Sequence, residues 1–128
     1  MRQGLAMLGL LGLAAVGPAW AEEVPGLTAA EMAGFRAAVQ SCWVIEHLPW
    51  DARRTVVTLG FELDRSGRVL GEVRLVSGEG DDAAVAVAFA NARTALLLCQ
   101  GDGYDLPQAK HEQWRQVELT FDPRELLG

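Results

Sequence analysis

Two histidines, His47 and His111, are the side chains best suited to acid–base chemistry in this sequence. A general base needs a neighbouring group that positions it, and neither histidine has such a neighbour in the sequence. His47 stands two residues before Pro49 and His111 lies in a polar stretch beside Lys110, so we expect two solvated loop histidines. The sequence contains no nucleophile elbow, HExxH motif, phosphate-binding loop or dinucleotide fingerprint. It therefore predicts no catalytic residue and no cofactor.

An acidic cluster of Glu79, Asp81 and Asp82 is the remaining candidate for a metal site. The cluster lacks the alternating oxygen ligands and the terminal glutamate of a calcium-binding EF-hand loop. Aspartates placed before an alanine-rich segment are typical of a helix N-terminus, where negative charge is stabilising. We therefore expect Asp81 or Asp82 to cap a helix, and no metal to bind there.

The first 21 residues have the pattern of a cleavable signal peptide. Arg2 precedes an apolar run from Leu5 to Val16, and Pro18 stands shortly before the small residue Ala21. This apolar run is well short of the roughly 20 residues that a membrane-spanning helix needs. We expect cleavage after Ala21, export of the protein, and no membrane span in the mature chain.

The mature chain is expected to comprise a short approach, residues 22–27, and one domain, residues 28–128. It would keep ten basic and 17 acidic side chains, and its only lysine is Lys110. An acidic domain without a cluster of basic residues does not attract nucleic acid or anionic lipid, so we exclude both as partners. Three tryptophans of the mature chain are expected to pack in the core or at its rim: Trp43, Trp50 and Trp114.

Cys42 and Cys99 are the only cysteines of the chain. Their wide spacing differs from a CxxC motif, and the histidines do not complete a zinc-binding pattern. An even number of cysteines in an exported domain favours a disulfide over a reactive or metal-binding thiol pair. On the chain-entropy model, closing a loop of this length stabilises a domain by roughly 4 kcal/mol.

Two helices are indicated by capping signals and apolar stripes. Thr28 and Glu31 have the spacing of a capping box, in which each side chain satisfies a free backbone N–H group. The first helix then repeats apolar residues at spacings of three and four: Met32, Phe35, Val39 and Cys42. The second helix, from about Ala83, carries a similar stripe among many alanines: Val85, Phe89, Ala92, Leu96 and Cys99.

Three segments alternate apolar and polar residues with the period of two that is typical of strands. The first strand has its apolar residues at Val57, Leu59, Phe61 and Leu63. A tight turn from Asp64 to Gly67 should lead into the second strand, and we expect the stretch from Ser77 to Gly80 to end that strand. The apolar residues of the second strand are Val69, Val73 and Leu75, and those of the third are Val117, Leu119 and Phe121.

The order helix, strand, strand, helix, strand predicts an α+β fold with a three-stranded antiparallel sheet. The third strand should lie beside the first, and both helices should share one face of the sheet. Each helix ends in a cysteine, and two helices on the same face can bring Cys42 and Cys99 within bridging distance. The layer arrangement and the disulfide therefore support each other.

Several segments together resemble the C-terminal domain of TolA, which is related in fold to that of TonB. The resemblance extends from Leu27 to Leu127, nearly the whole mature chain. The matching segments are Val39 to Trp43, Phe61 to Val69, Ala88 to Cys99, Tyr104 to Pro107, Trp114, and Phe121 to Pro123.

This resemblance implies a periplasmic, non-enzymatic domain with a disulfide between its helices. It also implies binding, by strand addition, to proteins of the Tol-Pal envelope system, notably TolB. TolA has an uncleaved membrane anchor and a long helical stalk, and this sequence is expected to have neither. We therefore expect partner binding without energy transduction.

The edges of a three-stranded sheet carry unpaired backbone groups that another extended chain can bind. We place the partner-binding edge on the third strand: Gln116, Val117, Glu118, Leu119, Thr120 and Phe121. The alternatives are a small periplasmic inhibitor or ligand carrier, and an accessory of TonB-like transport. A concave apolar pocket in place of an accessible strand edge would favour the inhibitor or carrier.

Overall fold

The computed structural model describes residues 26–127, apart from the side chain of Leu127. The predicted signal peptide and its cleavage site lie outside the described residues. The main elements are α1 (Ala29–Gln40), β1 (Val56–Leu63), β2 (Val69–Glu79), α2 (Asp82–Cys99) and β3 (Gln116–Phe121). Shorter elements are two 3-10 turns, Ala52–Arg54 and Gln108–Lys110, and two four-residue helices, α3 (His111–Trp114) and α4 (Arg124–Leu127).

The three strands form an antiparallel sheet in the order β2-β1-β3, which confirms the predicted topology. β1 is the central strand, and its apolar residues at alternate positions are all buried: Val57, Leu59, Phe61 and Leu63. On β3, the buried residues Val117, Leu119 and Phe121 stand opposite them in register. Because residues paired across strands project to the same side, these side chains form one apolar face of the sheet.

The turn between β1 and β2 has the predicted form. Asp64 N–H donates to the Arg68 carbonyl at 2.9 Å, and Gly67 has a positive φ of 87°. A Cβ atom on Gly67 would also overlap the backbone of Tyr104, so glycine is required here for space as well as for φ. The Asp64 carboxylate accepts hydrogen bonds from the Ser66 hydroxyl, the Ser66 N–H and the Arg68 N–H.

The Asp64 turn should make folding stability depend on pH in the acidic range. The hydroxyl of Ser66, followed by the backbone N–H of Arg68, lowers the pKa of the Asp64 carboxyl below its ordinary value. A carboxyl whose pKa is lower in the folded than in the unfolded chain contributes stability above the unfolded pKa, and this is lost as pH falls through the folded pKa.

We therefore expect the melting temperature of Asp64→Asn to lie below that of the wild type near neutral pH. This difference should shrink as the pH falls from about 5 to about 2. Thermal unfolding followed by circular dichroism over this range measures the difference in melting temperature. Ser66→Ala removes only one of the donors to Asp64, so its melting temperature should differ from that of the wild type in the same way but by less. A difference between Asp64→Asn and wild type that stays constant over the whole range would contradict the prediction.

β2 is longer and less regular than the sequence predicts. The stretch from Ser77 to Gly80 was expected to end the strand, but β2 continues into this stretch as far as Glu79 because its last three residues pair with the start of β1. The register between the two strands shifts twice, between Thr58 and Leu59 and again between Gly60 and Glu62. These bulges take up extra β2 residues, which a simple alternation of apolar and polar residues does not reveal.

Both main helices begin with the predicted caps. The Thr28 hydroxyl accepts from Glu31 N–H at 3.0 Å, and the Glu31 carboxylate accepts from Thr28 N–H at 2.9 Å. The Asp81 carboxylate accepts from Ala84 N–H at 2.9 Å at the start of α2. The acidic residues before α2 therefore include a helix cap, and no group of three or more possible metal ligands occurs among the described residues.

The two helices pack on the apolar face of the sheet and are joined by the predicted disulfide. Phe35 and Val39 of α1 are buried, whereas α2 packs through Leu96 and four alanines: Ala84, Ala88, Ala92 and Ala95. Two larger residues of the predicted α2 stripe, Val85 and Phe89, are only half-buried. Cys42 and Cys99 are bonded, with their Cα atoms 5.8 Å apart.

Several aromatic residues hold the core and its connections together. Tyr104 is buried, and its hydroxyl donates to the Leu96 carbonyl at 2.5 Å; burial raises the pKa of this phenol. The Trp43 ring packs edge-on against Phe121, with ring centroids 5.1 Å apart. Trp114 donates from its indole N–H to the Pro107 carbonyl at 2.7 Å. These aromatic residues are therefore structural.

Candidate functional site

Within the described residues β3 is an edge strand, and the register shows which of its backbone groups point outward. Leu63 N–H donates to the Arg115 carbonyl at 2.8 Å, so these two residues form a hydrogen-bonded pair. In an antiparallel ladder such pairs alternate with pairs whose backbone groups point away from each other. The N–H and C=O groups of Gln116, Glu118 and Thr120 therefore point away from β1, toward the free edge.

The six residues predicted for partner binding divide into two sets. The side chains of Val117, Leu119 and Phe121 are buried in the core, so they are not available to a partner. Gln116 and Glu118 have exposed side chains. The Thr120 hydroxyl is half-buried and lies 2.8 Å from the Thr58 hydroxyl across the strand pair. The alternation of the strand therefore reduces the accessible side chains mainly to Gln116 and Glu118.

One end of the β3 edge is already occupied by a side chain of α1. Arg36 donates from Nη1 to the Thr120 carbonyl at 3.2 Å. A strand that pairs along the whole of β3 must displace this guanidinium. The stretch from Gln116 to Glu118 has outward backbone groups, and an extended chain can pair with it without displacing the Arg36 guanidinium.

The opposite edge of the sheet, on β2, is less suitable for regular strand pairing. Its two bulges disturb the spacing of the outward backbone groups, and Gly71 has a positive φ of 80°. The Val69 N–H is taken by the Gln100 side chain at 2.8 Å. Bulges of this kind protect edge strands from pairing with other chains. β3, whose register with β1 has no shift, is the regular edge.

His111 is not the solvated loop residue that the sequence predicts. It begins α3, is half-buried, and packs its ring edge-on against Trp114 at 4.6 Å between centroids. Its Nε2 atom lies 3.3 Å from the Leu63 carbonyl. The prediction was wrong because the His111 ring lies against Trp114, one helical turn further on, and against the Leu63 carbonyl of β1. His47 is exposed, as expected.

Trp50 also departs from the prediction, because it is not a core or rim residue. Its side chain is 63% exposed. The guanidinium carbons of Arg53 and Arg54 lie 5.6 and 5.3 Å from the centre of the indole ring, within cation–π distance. Trp50, Arg53 and Arg54 lie within five consecutive residues. A tryptophan so close to two arginines is the sequence feature that could have indicated an exposed site.

Comparison with known proteins identifies the fold. No protein-family model matches the chain, and no curated protein matches it. Among solved structures, the chain is similar to the NMR solution structure of the C-terminal domain of Helicobacter pylori TonB, with a TM-score of 0.54 and 16% sequence identity. The match covers 81% of this chain and 90% of that chain. At this identity the likeness concerns the fold alone and does not distinguish a TolA-like from a TonB-like domain. The chain therefore has a TonB C-terminal-like fold.

Proposed function

We propose that this chain is a periplasmic protein-binding module that takes up an extended segment of another envelope protein at the β3 edge. The observation that carries the proposal is the regular edge of β3, with outward N–H and C=O groups at Gln116 and Glu118. The TonB C-terminal-like fold supports it. TolB or another Tol-Pal component is the candidate partner, and the mature protein would begin after Ala21.

The outward backbone groups and exposed side chains of β3 determine what kind of segment it can bind. An added strand gains main-chain hydrogen bonds at Gln116 and Glu118, and these bonds do not depend on its side chains. Specificity must come from the side chains that alternate along the added strand. Glu118 is exposed and acidic, so a basic residue placed opposite it is stabilised, whereas an acidic one is repelled.

The variant Glu118→Pro tests this mode of binding. Proline lacks the N–H group that points outward at this position, but the ladder between β3 and β1 does not use that N–H. We expect Glu118→Pro to weaken partner binding by about tenfold, the value of one lost hydrogen bond of about 1.4 kcal/mol. Isothermal titration calorimetry with purified TolB measures it.

Glu118→Thr is the matched control, because it removes the same carboxylate and keeps the backbone N–H. It should bind an uncharged extended segment as the wild type does. Equal affinity of Glu118→Pro and Glu118→Thr for the partner would contradict strand addition at β3. A pull-down from envelope extract in which TolB is not enriched would contradict TolB as the partner and leave the edge to be tested with other envelope proteins.

The alternative of a small ligand carrier depends on a concave apolar pocket. Beside α2 there is a mostly apolar groove of about 460 Å³, and it is open to solvent. An open groove does not bury most of the surface of a small ligand, as carrier pockets do. The regular β3 edge therefore favours the interaction module over the carrier.

A further inference from the structure

α2 is unusually apolar for a helix that covers only one face of a sheet. By length and composition it could cross a membrane, yet only 28% of its residues are buried. Its outward side is mostly apolar too, with Val87 and Leu98 exposed and Ala83 and Ala90 beside them. A surface helix normally has a polar outer face, so an apolar one marks a surface that another molecule covers.

This outer side of α2 forms one wall of a groove, which we term the α2 groove. The loop that follows α1 forms the other wall through Val44 and Leu48, and Val87 and Leu98 line the side of α2. The groove has a volume of about 460 Å³, and no aspartate, glutamate, lysine or arginine lines it. Leu98, at its rim, is 68% exposed. The groove is large enough for a few apolar side chains.

Two arginines and an exposed tryptophan lie near one end of this apolar surface. A second hollow, lined by Pro49, Ala52 and the acidic residues Asp51 and Asp81, shares Val87 with the α2 groove, and Trp50 lies between Pro49 and Asp51 in the sequence. Arg53 and Arg54 lie against the exposed Trp50 ring, and we term these three residues the Trp50 corner. Tryptophan and arginine are the residues most enriched at the energetic centres of protein interfaces.

The two arginines of the Trp50 corner lack carboxylate partners within residues 26–127. No salt bridge within 4.0 Å forms at either arginine there, although Asp51, Glu79 and Asp81 line a hollow beside Arg54. The Nε atom of Arg53 is buried without a hydrogen-bond acceptor in this part of the chain. An unpaired, buried charged donor is costly, and an incoming acceptor would offset that cost.

We propose that the α2 groove and the Trp50 corner together bind an apolar segment of a partner protein that carries a carboxylate at one end. The apolar residues of the segment fill the groove between Leu98 and Val87, and its carboxylate pairs with Arg53 and Arg54. This surface lies on the outer side of the helix layer, whereas the β3 edge lies at the side of the sheet. The domain therefore holds two separate binding surfaces.

Charge selects this occupant over the other two candidates for an apolar surface. The full chain has a formal net charge of −6. That charge repels a second copy of the chain and an anionic lipid surface at long range. Arg53 and Arg54 form no ion pair within residues 26–127, so their guanidinium groups can pair with a single carboxylate on a short segment, which brings no large negative field with it.

The experiment selects short random peptides, displayed on phage, against the protein purified from the periplasm after expression of the full chain. We expect enriched peptides to combine apolar residues with an aspartate or glutamate toward one end. Changing that acid to its amide should weaken binding about tenfold. The Arg53→Ala/Arg54→Ala variant should bind both forms of the peptide equally, because the double-mutant cycle isolates this pair of groups.

Variants at three exposed positions show which surface binds the peptide. Leu98→Glu places a charge in the α2 groove and should weaken peptide binding about tenfold or more. Leu70→Glu, at a leucine that is 52% exposed on β2, and Glu118→Pro, at the β3 edge, should bind the peptide as the wild type does. Because Leu70 and Leu98 are both exposed, neither change disturbs the core.

Four outcomes overturn the proposal. They are failure to enrich any peptide, enriched peptides without an acidic residue, binding that Leu98→Glu leaves unchanged, and loss of binding in Glu118→Pro. Two further measurements overturn the choice of occupant. These are a dimer in analytical ultracentrifugation that Leu98→Glu dissociates, and binding to phosphatidylglycerol vesicles that Leu98→Glu abolishes.

Discussion

Replacing Cys42 and Cys99 by serine should lower the free energy of unfolding by about 4 kcal/mol. The disulfide joins the end of α2 to the chain just after α1, across 57 residues of sequence. Without it, the unfolded chain gains the conformational freedom of that long loop, and the folded chain loses its covalent link between the helices. For a domain of this size the melting temperature should fall by about 15–30 °C.

The single variant Cys42→Ser separates the bridge from the cysteines themselves. If the bridge is responsible, the single variant, the double variant and the reduced wild type should all melt at nearly the same temperature. Differential scanning calorimetry with and without reductant measures this, with thiol titration to prove complete reduction. Ser41→Ala is a useful control, because its hydroxyl lies 3.1 Å from the Cys99 sulfur but forms no covalent link. A loss below about 1 kcal/mol in the double variant would contradict the prediction.

Trp114→Ala should be the most destabilising of the core substitutions considered, by about 3–5 kcal/mol. The side chain is 1% exposed and connects three parts of the chain. Trp114 ends α3, two residues before β3 begins. Its ring packs against the His111 ring, and its indole N–H donates to the Pro107 carbonyl. Removing the indole leaves a large cavity and an unpaired carbonyl, and each has a cost.

Two controls divide this loss into its parts. Trp114→Phe keeps most of the apolar volume but removes the N–H donor, so it should cost about 1–3 kcal/mol. Trp50→Ala removes the same side chain from an exposed position and should cost less than about 0.5 kcal/mol. Urea unfolding followed by far-UV circular dichroism compares the three variants. Equal losses for Trp114→Ala and Trp50→Ala would contradict the assignment of Trp114 to the core.

The two proposed binding surfaces should also give distinguishable results. Strand addition at β3 depends on the outward N–H of Glu118, whereas docking in the α2 groove depends on the apolar rim at Leu98. Glu118→Pro and Leu98→Glu should therefore act on different ligands. If both surfaces bind one partner, each variant should weaken that partner, and the effects should add because the sites do not share residues.

Local sequence patterns determined the elements of this domain. The spacing of Thr28 and Glu31 predicts the start of α1, because the capping box involves only neighbours along the chain. The alternation around Leu59 and Leu119 predicts the strands, and the element order predicts their arrangement in the sheet. The two cysteines predict their bridge, since each stands where a core-facing helix ends.

Tertiary structure decided which surfaces are free, because that depends on residues far apart in sequence. Register places the outward backbone groups at Glu118 and not at Leu119, and Arg36 covers the Thr120 carbonyl from another element. His111 is half-buried because Trp114 and Leu63 fold against it. The apolar outer side of α2 and the Arg53–Trp50 contact become a binding surface only when the loop after α1 lies beside them. Neighbours in sequence thus determined the elements, and neighbours in space determined what those elements can bind.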